Sequence, residues 1–202
     1  MAPRFIAKQL SRPTGFMGAV IRRLMNRHNA RMNAFAVSEL ALHPTDRVLE
    51  IGFGGGVTLP LLIDEAAFVA GVDRSRDVVD WARRRFSKSI AAGRAEFRQG
   101  HVEALPYETA AFDKVCTVNT VYFWKSLDEG FAEIHRVLKP LGRIAVGFLP
   151  KKRMDRLSMP EDIFTARTPR EVIEALERTG FKDVRIERPE PETPWNVAVA
   201  AR

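Results

Sequence analysis

The sequence predicts a single α/β domain in which helices cover both faces of a mostly parallel sheet. Short apolar segments alternate with helical patterns from Arg47 onwards, which is typical of a buried parallel sheet. A glycine-rich loop joins the first of these segments to the next helix. The chain has 202 residues, 46% of them hydrophobic, so it is long enough to bury one full core.

An amphipathic pattern near the start predicts one or two helices over residues 18–42. Apolar residues recur there at spacings of three and four, the periodicity of a helix with one buried face. They include Met25 and Met32, which we interpret as core residues. The last helix should end before Pro44, because the residue that precedes a proline disfavours the helical conformation.

The alternating region contains five predicted strands with helices between them. The strands are predicted at Arg47–Ile51, Phe68–Val72, Glu96–Gln99, Lys114–Val118 and Gly142–Phe148. The helices are predicted at Val57–Glu65, Arg76–Ala92 and Gly130–Leu138, and the glycine loop at Gly52–Gly56. This order of elements is that of a sheet built from successive strand–helix–strand units.

The C-terminal part follows a different pattern. Thr168 and Glu171 form a predicted capping box at the start of a helix, and Gly180 supplies its left-handed stop. Two closing strands are predicted, at Val184–Glu187 and Asn196–Ala200. Residues 151–167 precede this helix as an irregular segment with an apolar side, which we interpret as a mobile flap.

The net charge is concentrated at the N-terminus. Residues 1–38 contain seven Lys or Arg side chains and no acid, whereas the other 25 basic residues are balanced by 25 acids. An Arg-rich, acid-free start fits a mitochondrial transit peptide, a patch for anionic lipid or nucleic acid, or the solvated face of a lid. The helix-breaking sequence at residues 12–15 argues against the transit peptide.

The cysteine and histidine content argues against a metal site. The single cysteine, Cys116, falls inside a predicted strand, and we interpret it as a core residue rather than a nucleophile. The four histidines form no H-x-H or H-x-x-x-H pair. No apolar run approaches the roughly 18 residues that span a bilayer, and no signal peptide is recognisable. We therefore expect a cytoplasmic protein.

The segment from Glu50 to Gly56 carries the strongest functional signal. It reads E-x-G-x-G-x-G, in which glycines let a ligand approach the backbone and a helix N-terminus follows. Dinucleotide-binding folds use G-x-G-x-x-G, and Val57 occupies their third glycine position here. A carboxylate at Glu50 suits a positively charged amino-acid group and would repel a pyrophosphate.

An acidic residue also ends the second predicted strand. Asp73 lies 23 residues after Glu50, where a carboxylate can accept hydrogen bonds from both hydroxyls of a ribose. The alternative is a solvated aspartate at the start of a helix. The glycine loop upstream favours ribose binding.

These residues resemble the motifs of the class I S-adenosylmethionine (SAM) methyltransferases, over about residues 44–202. Glu50–Gly56 is similar to their first motif, and Asp73 to the acid that ends their second strand. The later motifs of the family have similar segments here, in the same order, at Gly100–Tyr107, Ala111–Val115, Leu138–Arg143 and Gly180–Phe181. The resemblance implies a Rossmann-like, doubly wound α/β/α fold with a seven-stranded sheet, mostly parallel, with one antiparallel strand near the edge.

The resemblance also implies a set of SAM-binding residues. They are Glu50, Gly52, Phe53, Gly54, Asp73, Arg74, His101, Val102 and Asn119. Glu50 would orient the amino end of SAM, and Asp73 would hold the ribose. His101 and Val102 would hold the adenine, and Asn119 would lie beside the methionine portion.

The sequence departs from the family pattern at two places, and a third segment argues against one class of acceptor. His101 stands where these enzymes usually have an aspartate, so one acceptor for the adenine amino group is in doubt. Leu141 replaces the first of two glycines in a turn. Residues 119–122 lack the prolines of enzymes that methylate the exocyclic amino groups of bases, which argues against that class.

The implied function is transfer of the SAM methyl group to a small molecule by in-line displacement, with S-adenosylhomocysteine (SAH) as product. An N-terminal helical lid at residues 1–43 and the flap at 151–167 would cap the acceptor beside the methyltransferase domain at 44–202. The predicted acceptor-binding residues are Phe16, Met17, Tyr122, Trp124 and Phe164. Their apolar character suggests a hydrophobic acceptor, although Tyr122 and Trp124 equally fit a role in packing beneath the flap. We assign no catalytic residue and no metal.

Other functions stay open at this point. The domain could bind RNA or an anionic membrane through its basic N-terminus, or bind SAM without catalysis as a regulatory module. An NAD-dependent oxidoreductase is opposed by Glu50 and Val57. Nucleic acid is not the expected partner, a peripheral membrane contact through residues 1–38 is compatible with the charge, and we expect a monomer or a homodimer.

Overall fold

A seven-stranded sheet forms the centre of the computed structural model, which describes residues 29–156, 160 and 162–202. The strands are β1 Arg47–Ile51, β2 Phe68–Asp73, β3 Ala95–Gln99, β4 Phe112–Val118, β5 Leu138–Phe148, β6 Lys182–Glu187 and β7 Asn196–Ala201. Their order in the sheet is β3-β2-β1-β4-β5-β7-β6. Every pair is parallel except β5–β7 and β6–β7, so β7 is the antiparallel strand beside the edge. The predicted fold class is confirmed.

Helices cover both faces of this sheet. In chain order they are α1 at residues 29–39, α2 Thr58–Glu65, α3 Arg76–Arg85, α4 Ser87–Ala91, α5 Leu127–Val137, α6 Lys151–Arg156 and α7 Pro169–Arg178. Neighbouring strand residues point to opposite faces. Val48 and Cys116 pack in one core cluster with α1, α2 and α3, whereas Leu49 and Val115 pack in the other with α5 and α7.

The N-terminal helix lies within the predicted range of 18–42. Residues 29–39 are helical, and the chain leaves the helix before Pro44, as the proline predicts. Met32 and Ala36 lie on one side of α1, Leu40 directly follows the helix, and all three are at most 2% exposed, so Met32 is a core residue. Met25 and the basic residues before position 29 lie outside the described residues.

Two predicted helices differ from those observed. The single helix predicted over Arg76–Ala92 is broken at Phe86, whose ring packs into the core against Phe97 and Trp81. The helix predicted from Gly130 begins three residues earlier, because the Ser126 hydroxyl accepts a hydrogen bond from the Glu129 N–H at 3.2 Å.

The strand predicted from Gly142 also begins earlier than expected. It starts at Leu138, which pairs with Phe112 before the register shifts at a bulge. Within the bulge Leu141 is 89% exposed and has a left-handed φ of 65°. Leu141 stands where the sequence motif it resembles has a glycine, and its exposed side chain is not stabilised by burial.

The C-terminal helix has the predicted ends. Thr168 and Glu171 form the capping box, and Gly180 adopts a φ of 98°. The segment 151–167 is less irregular than predicted, because its first turns form α6. None of the helices in the described part of the chain is both long enough and apolar enough to cross a membrane.

Candidate functional site

A cleft opens at the carboxyl ends of β1, β2 and β4. It contains about 1030 Å³ of empty space, including the solvent at its open side. The lining comes from the loop after β1, the segments after β2, β3 and β4, and the start of α1. A parallel sheet of this kind binds ligands at the point where the strand order reverses. In this sheet that point lies between β1 and β4.

The glycine loop forms the floor of this cleft. Gly52, Gly54 and Gly56 all have positive φ values, of 70°, 44° and 65°. A side chain at Gly52 would collide with Thr120, whereas a Cβ at Gly54 would have only the Gly52 carbonyl oxygen nearby, at 3.9 Å. The positive φ values therefore favour glycine at all three positions, and the lack of a side chain at Gly54 leaves the surface of the loop accessible to a ligand.

Glu50 is the penultimate residue of β1, just before the loop, and is 4% exposed. Its Oε1 accepts a hydrogen bond from the Thr58 hydroxyl, while Oε2 is buried without a hydrogen-bond partner among the described residues. Burial raises the pKa of Glu50 to about 8; the Thr58 bond works against this rise, and the charge of Asp73 adds to it. The free site thus holds a largely protonated carboxyl group, and a cation bound beside it would favour its ionised form.

Asp73 ends β2 beside the loop. Its Oδ2 accepts a hydrogen bond from the Gly54 N–H at 3.0 Å, and its Oδ1 accepts one from the Ser75 N–H at 2.8 Å. These two bonds fix the orientation of the Asp73 carboxylate beside the loop.

Arg74 reaches across the cleft from β2. Its guanidinium carbon lies 5.5 Å from the ring centroid of Phe123, in the turn that follows β4. This is cation–π distance. The contact joins the two sides of the lining.

The segment after β3 forms another wall. His101 and Val102 both line the cleft. Val102 is buried, whereas the His101 side chain is exposed. Glu103 accepts a hydrogen bond from the Lys125 N–H at 2.9 Å, which connects this wall to the segment after β4.

Asn119 follows β4 with a left-handed φ of 58°. Its N–H donates to the Gly147 carbonyl at 2.8 Å, and its Oδ1 accepts from the Tyr122 hydroxyl at 3.2 Å. The Tyr122 hydroxyl in turn accepts a hydrogen bond from the Leu149 N–H. Burial raises the pKa of the Tyr122 phenol, so this hydroxyl stays protonated and positions Asn119.

The structure brings all nine predicted SAM-binding residues to this cleft. Those in its lining are Glu50, Gly52, Phe53, Gly54, Asp73, Arg74, His101, Val102 and Asn119. That each of them contacts SAM stays a prediction.

The predicted acceptor-binding residues are not all together. Trp124 lines the cleft, as does Phe123 beside it. Tyr122 and Phe164 are buried behind that wall, where Phe164 packs against Phe123 at 4.7 Å between ring centroids. Phe16 and Met17 lie outside the described residues.

The sequence analysis did not assign several lining residues to the site. Among them are four with polar side chains on α1, on α2 and after β4: Asn29, Asn33, Thr58 and Thr120. Asn29 and Asn33 are four residues apart, so they share a face of α1. That spacing was visible in the sequence, but the face they share becomes informative only when α1 is placed over the sheet.

The described residues contain no group of three or more His, Cys, Asp or Glu side chains placed to hold a metal ion. Cys116, in the middle of β4, is fully buried, and burial raises the pKa of its thiol well above the usual value. A buried neutral thiol is a poor nucleophile.

Comparison with known proteins places this site among methyltransferases. The model of the methyltransferase domain family matches residues 49–146, which include the glycine loop, Asp73 and Asn119. An uncharacterised methyltransferase of Bacillus subtilis (strain 168), YdaC, is 27% identical over 166 residues, covering 81% of this chain and 87% of that protein.

A second relative is the ubiquinone/menaquinone biosynthesis C-methyltransferase UbiE of Geotalea daltonii. It is 27% identical over 115 residues, covering 55% of this chain and 49% of UbiE, so the match spans about half of that protein. Among solved structures, a methyltransferase in complex with the Haloferax volcanii Trm112 methyltransferase activator has a similar fold. Its TM-score is 0.75 at 18% identity, with 89% of this chain and 92% of that chain covered.

Proposed function

Because this chain belongs to the class I SAM-dependent methyltransferases, we propose that it transfers the sulfonium methyl group of SAM to a small, apolar acceptor. The observation that carries the proposal is the convergence of Glu50, Asp73 and the glycine loop in one cleft with an aromatic wall. SAM supplies an activated methyl group, and the protein has to bind and align the two reactants.

The residues present fit the amino-acid end of SAM. The buried Oε2 of Glu50 lacks a partner among the described residues, and an ammonium group would provide one. The pKa of about 8 means that the free protein holds this carboxyl largely protonated near neutral pH. Binding an ammonium group there would stabilise the ionised form.

The residues also fit the adenosine portion. Asp73 is held in place by the Gly54 and Ser75 N–H groups and lines the cleft, where its carboxylate would accept hydrogen bonds from the ribose hydroxyls. His101 and Val102 lie in the wall next to it, where the adenine would bind.

The aromatic wall supports an apolar acceptor. Phe123 and Trp124 line the cleft, and the buried rings of Phe164 and Tyr122 pack against Phe123. An acceptor held between this wall and the donor would be shielded from water and kept at attack distance. Such alignment can contribute on the order of 7–11 kcal/mol to lowering the barrier. The name of the relative UbiE, a C-methyltransferase of quinone biosynthesis, is consistent with an apolar acceptor.

Calorimetric titration tests the donor half of this proposal. We expect SAH to bind the purified full-length protein saturably with one-to-one stoichiometry, and NADH not to bind in a parallel titration. Binding of NADH alone would replace the proposal with a dinucleotide-dependent function. A lack of binding by both would contradict the assignment of the glycine loop.

An activity assay tests the acceptor half. Radiolabelled methyl transfer from SAM is measured with hydroquinones that carry apolar tails and with polar amines of similar size. We expect transfer to the first group, and a preference for the second would contradict the apolar acceptor.

A further inference from the structure

The segment after β3, residues 100–107, is an irregular wall of the cleft. It follows an edge strand of the sheet and forms neither a helix nor a strand of that sheet. Near its start the Ala104 N–H donates to the His101 carbonyl at 3.1 Å. His101 and Val102 line the cleft. The position of this wall therefore depends on contacts with other parts of the fold.

Two charged side chains on α5 make such contacts. Oε2 of Glu133 accepts a hydrogen bond from the Leu105 N–H at 2.9 Å. Arg136 donates to the Leu105 carbonyl at 3.2 Å and to the Tyr107 carbonyl at 2.8 Å. The two side chains also bond to each other, at 2.7 Å and 2.8 Å. One ion pair thus holds both backbone groups of Leu105 and the carbonyl of Tyr107.

This arrangement requires an arginine. A guanidinium carries five N–H donors in a planar fork. In Arg136 the fork meets the Glu133 carboxylate while its terminal nitrogens also reach two carbonyls. The single nitrogen of a lysine cannot span these acceptors. Arg98 in β3 donates to the intervening Pro106 carbonyl at 2.6 Å, so the segment is held from the sheet as well as from α5.

The ion pair itself lies outside the cleft. Neither Glu133 nor Arg136 belongs to the cleft lining, and their side chains are 23% and 34% exposed. Hydrogen bonding from Arg136 lowers the pKa of Glu133, so the pair stays charged near neutral pH. An ion pair between residues three apart on a partly exposed helix face adds little stability by itself. Its bonds to three backbone groups of the wall indicate a positioning role.

We propose that Glu133 and Arg136 are positioning residues for the adenine end of SAM. From α5 they hold the segment after β3, so that His101 and Val102 form one fixed wall. Neither residue touches the ligand. This inference rests on the proposed function, in which adenine binds against this wall. The ion pair then sets donor affinity through the fraction of molecules whose wall is ready to bind.

Hydrogen exchange in the free protein tests whether the pair holds the segment. Arg136→Met removes the bonds but keeps a long side chain, and Arg136→Lys keeps the charge. Mass spectrometry compares peptides covering residues 100–107 with peptides covering the glycine loop. We expect exchange in 100–107 to be at least about tenfold faster in both variants, with the loop unchanged. No change in 100–107, or an equal rise in the loop, would overturn the inference.

Calorimetric titration with SAH tests the effect on donor binding in the full-length protein. We expect Arg136→Met to weaken SAH binding by about tenfold, because a wall that is competent in one molecule in ten raises the apparent Kd by that factor. Arg136→Lys should lose nearly as much, since the retained charge does not replace the fork.

Lys139→Met is a matched control. The Lys139 side chain is 38% exposed, and its Nζ donates to both carboxylate oxygens of Asp113 at 2.9 Å. Asp113 also accepts a backbone N–H, from Arg47, just as Glu133 accepts one from Leu105. This pair lies outside the cleft lining and does not bond to the segment after β3. We expect SAH affinity within about twofold of wild type, with thermal unfolding recording the stability of every variant.

The remaining outcomes are distinguishable. Equal losses of SAH affinity in Lys139→Met and Arg136→Met would assign the effect to general destabilisation and overturn the inference. Wild-type affinity in the Arg136 variants, despite faster exchange, would overturn it as well, because donor binding would not depend on the wall. Wild type that binds no SAH would contradict the proposed function, while the exchange comparison would still show whether α5 holds the segment.

Discussion

The Thr58 hydroxyl in α2 donates a hydrogen bond to Oε1 of Glu50 at the end of β1, and this bond occupies one side of a carboxyl group that is otherwise buried. Oε2 has no partner among the described residues. Thr58 thus holds the Glu50 carboxyl group in one orientation, and burial makes its ionisation costly. The stability of the protein and its affinity for SAH should therefore both depend on pH.

The first effect concerns stability. The pKa of Glu50 is about 8 in the folded protein against an ordinary value of 4.5, so between these values the folded state holds more protons than the unfolded state. The free energy of unfolding should therefore fall as the pH rises through this window, by about 1.4 kcal/mol per pH unit from this group. The contribution is fully present below about pH 4.5 and lost by about pH 8.

Glu50→Gln isolates this contribution, because glutamine can still accept the Thr58 bond but does not ionise. Urea unfolding between pH 5 and 8 should show a stability difference, Glu50→Gln minus wild type, that grows in favour of the variant as the pH rises. Glu103→Gln, which removes a carboxylate from another wall of the cleft, serves as control. Parallel pH profiles of wild type and Glu50→Gln would contradict the raised pKa.

The second effect concerns ligand binding. If the ammonium of SAH binds ionised Glu50, binding near pH 7 must release the proton that the free protein holds there. SAH affinity should then rise with pH up to about 8. Calorimetry in two buffers of different ionisation enthalpy measures the number of protons released, which we expect to approach one. Heats that do not depend on the buffer would show that Glu50 stays protonated in the complex.

Asp73→Asn tests the ribose assignment. Asparagine has the shape of aspartate and one carbonyl acceptor for the Ser75 N–H, but it lacks the charge and the second acceptor. We expect SAH binding to weaken by about 1–3 kcal/mol. Thermal unfolding serves as the check on folding, because the bond from Gly54 is also affected. Wild-type affinity in this variant would remove Asp73 from the ribose site.

Leu141→Gly should stabilise the fold. Leu141 is 89% exposed at a φ of 65°, a conformation that costs a residue with a side chain about 1–2 kcal/mol. After allowing for the greater flexibility of glycine in the unfolded chain, we expect a gain of about 1 kcal/mol.

Gly93→Ala is the reciprocal control. Gly93 has a φ of 69° and no atom within 4 Å of an added Cβ, so the change adds the same conformational strain without a steric clash. It should destabilise by about 1 kcal/mol. Chemical denaturation measures both variants, and changes of the same sign would contradict the argument.

The sequence predicted the sheet well because each strand is defined by local pattern. Val48 and Leu49 are buried on opposite faces of β1, and a continuous apolar run is what such a strand requires. The glycine loop and Asp73 were equally visible, since their residue types follow from local backbone geometry and charge. The family assignment built on them is confirmed.

What the sequence missed depends on tertiary packing. The helix break at Phe86 comes from its ring entering the core beside Phe97, and no local signal marks it. Asn33 was overlooked because an asparagine in an amphipathic helix is ordinarily solvated. Its burial follows from the position of α1 over the end of the sheet.

The position of Cys116 has a practical consequence. This thiol is the single one in the chain, and it lies fully buried in the strand between β1 and β5. A thiol-reactive dye reaches it when the middle of the sheet separates, so the labelling rate reports the opening of the whole domain. Every ligand that binds the native cleft will slow this labelling, which makes the unmodified protein its own sensor for screening methyl acceptors.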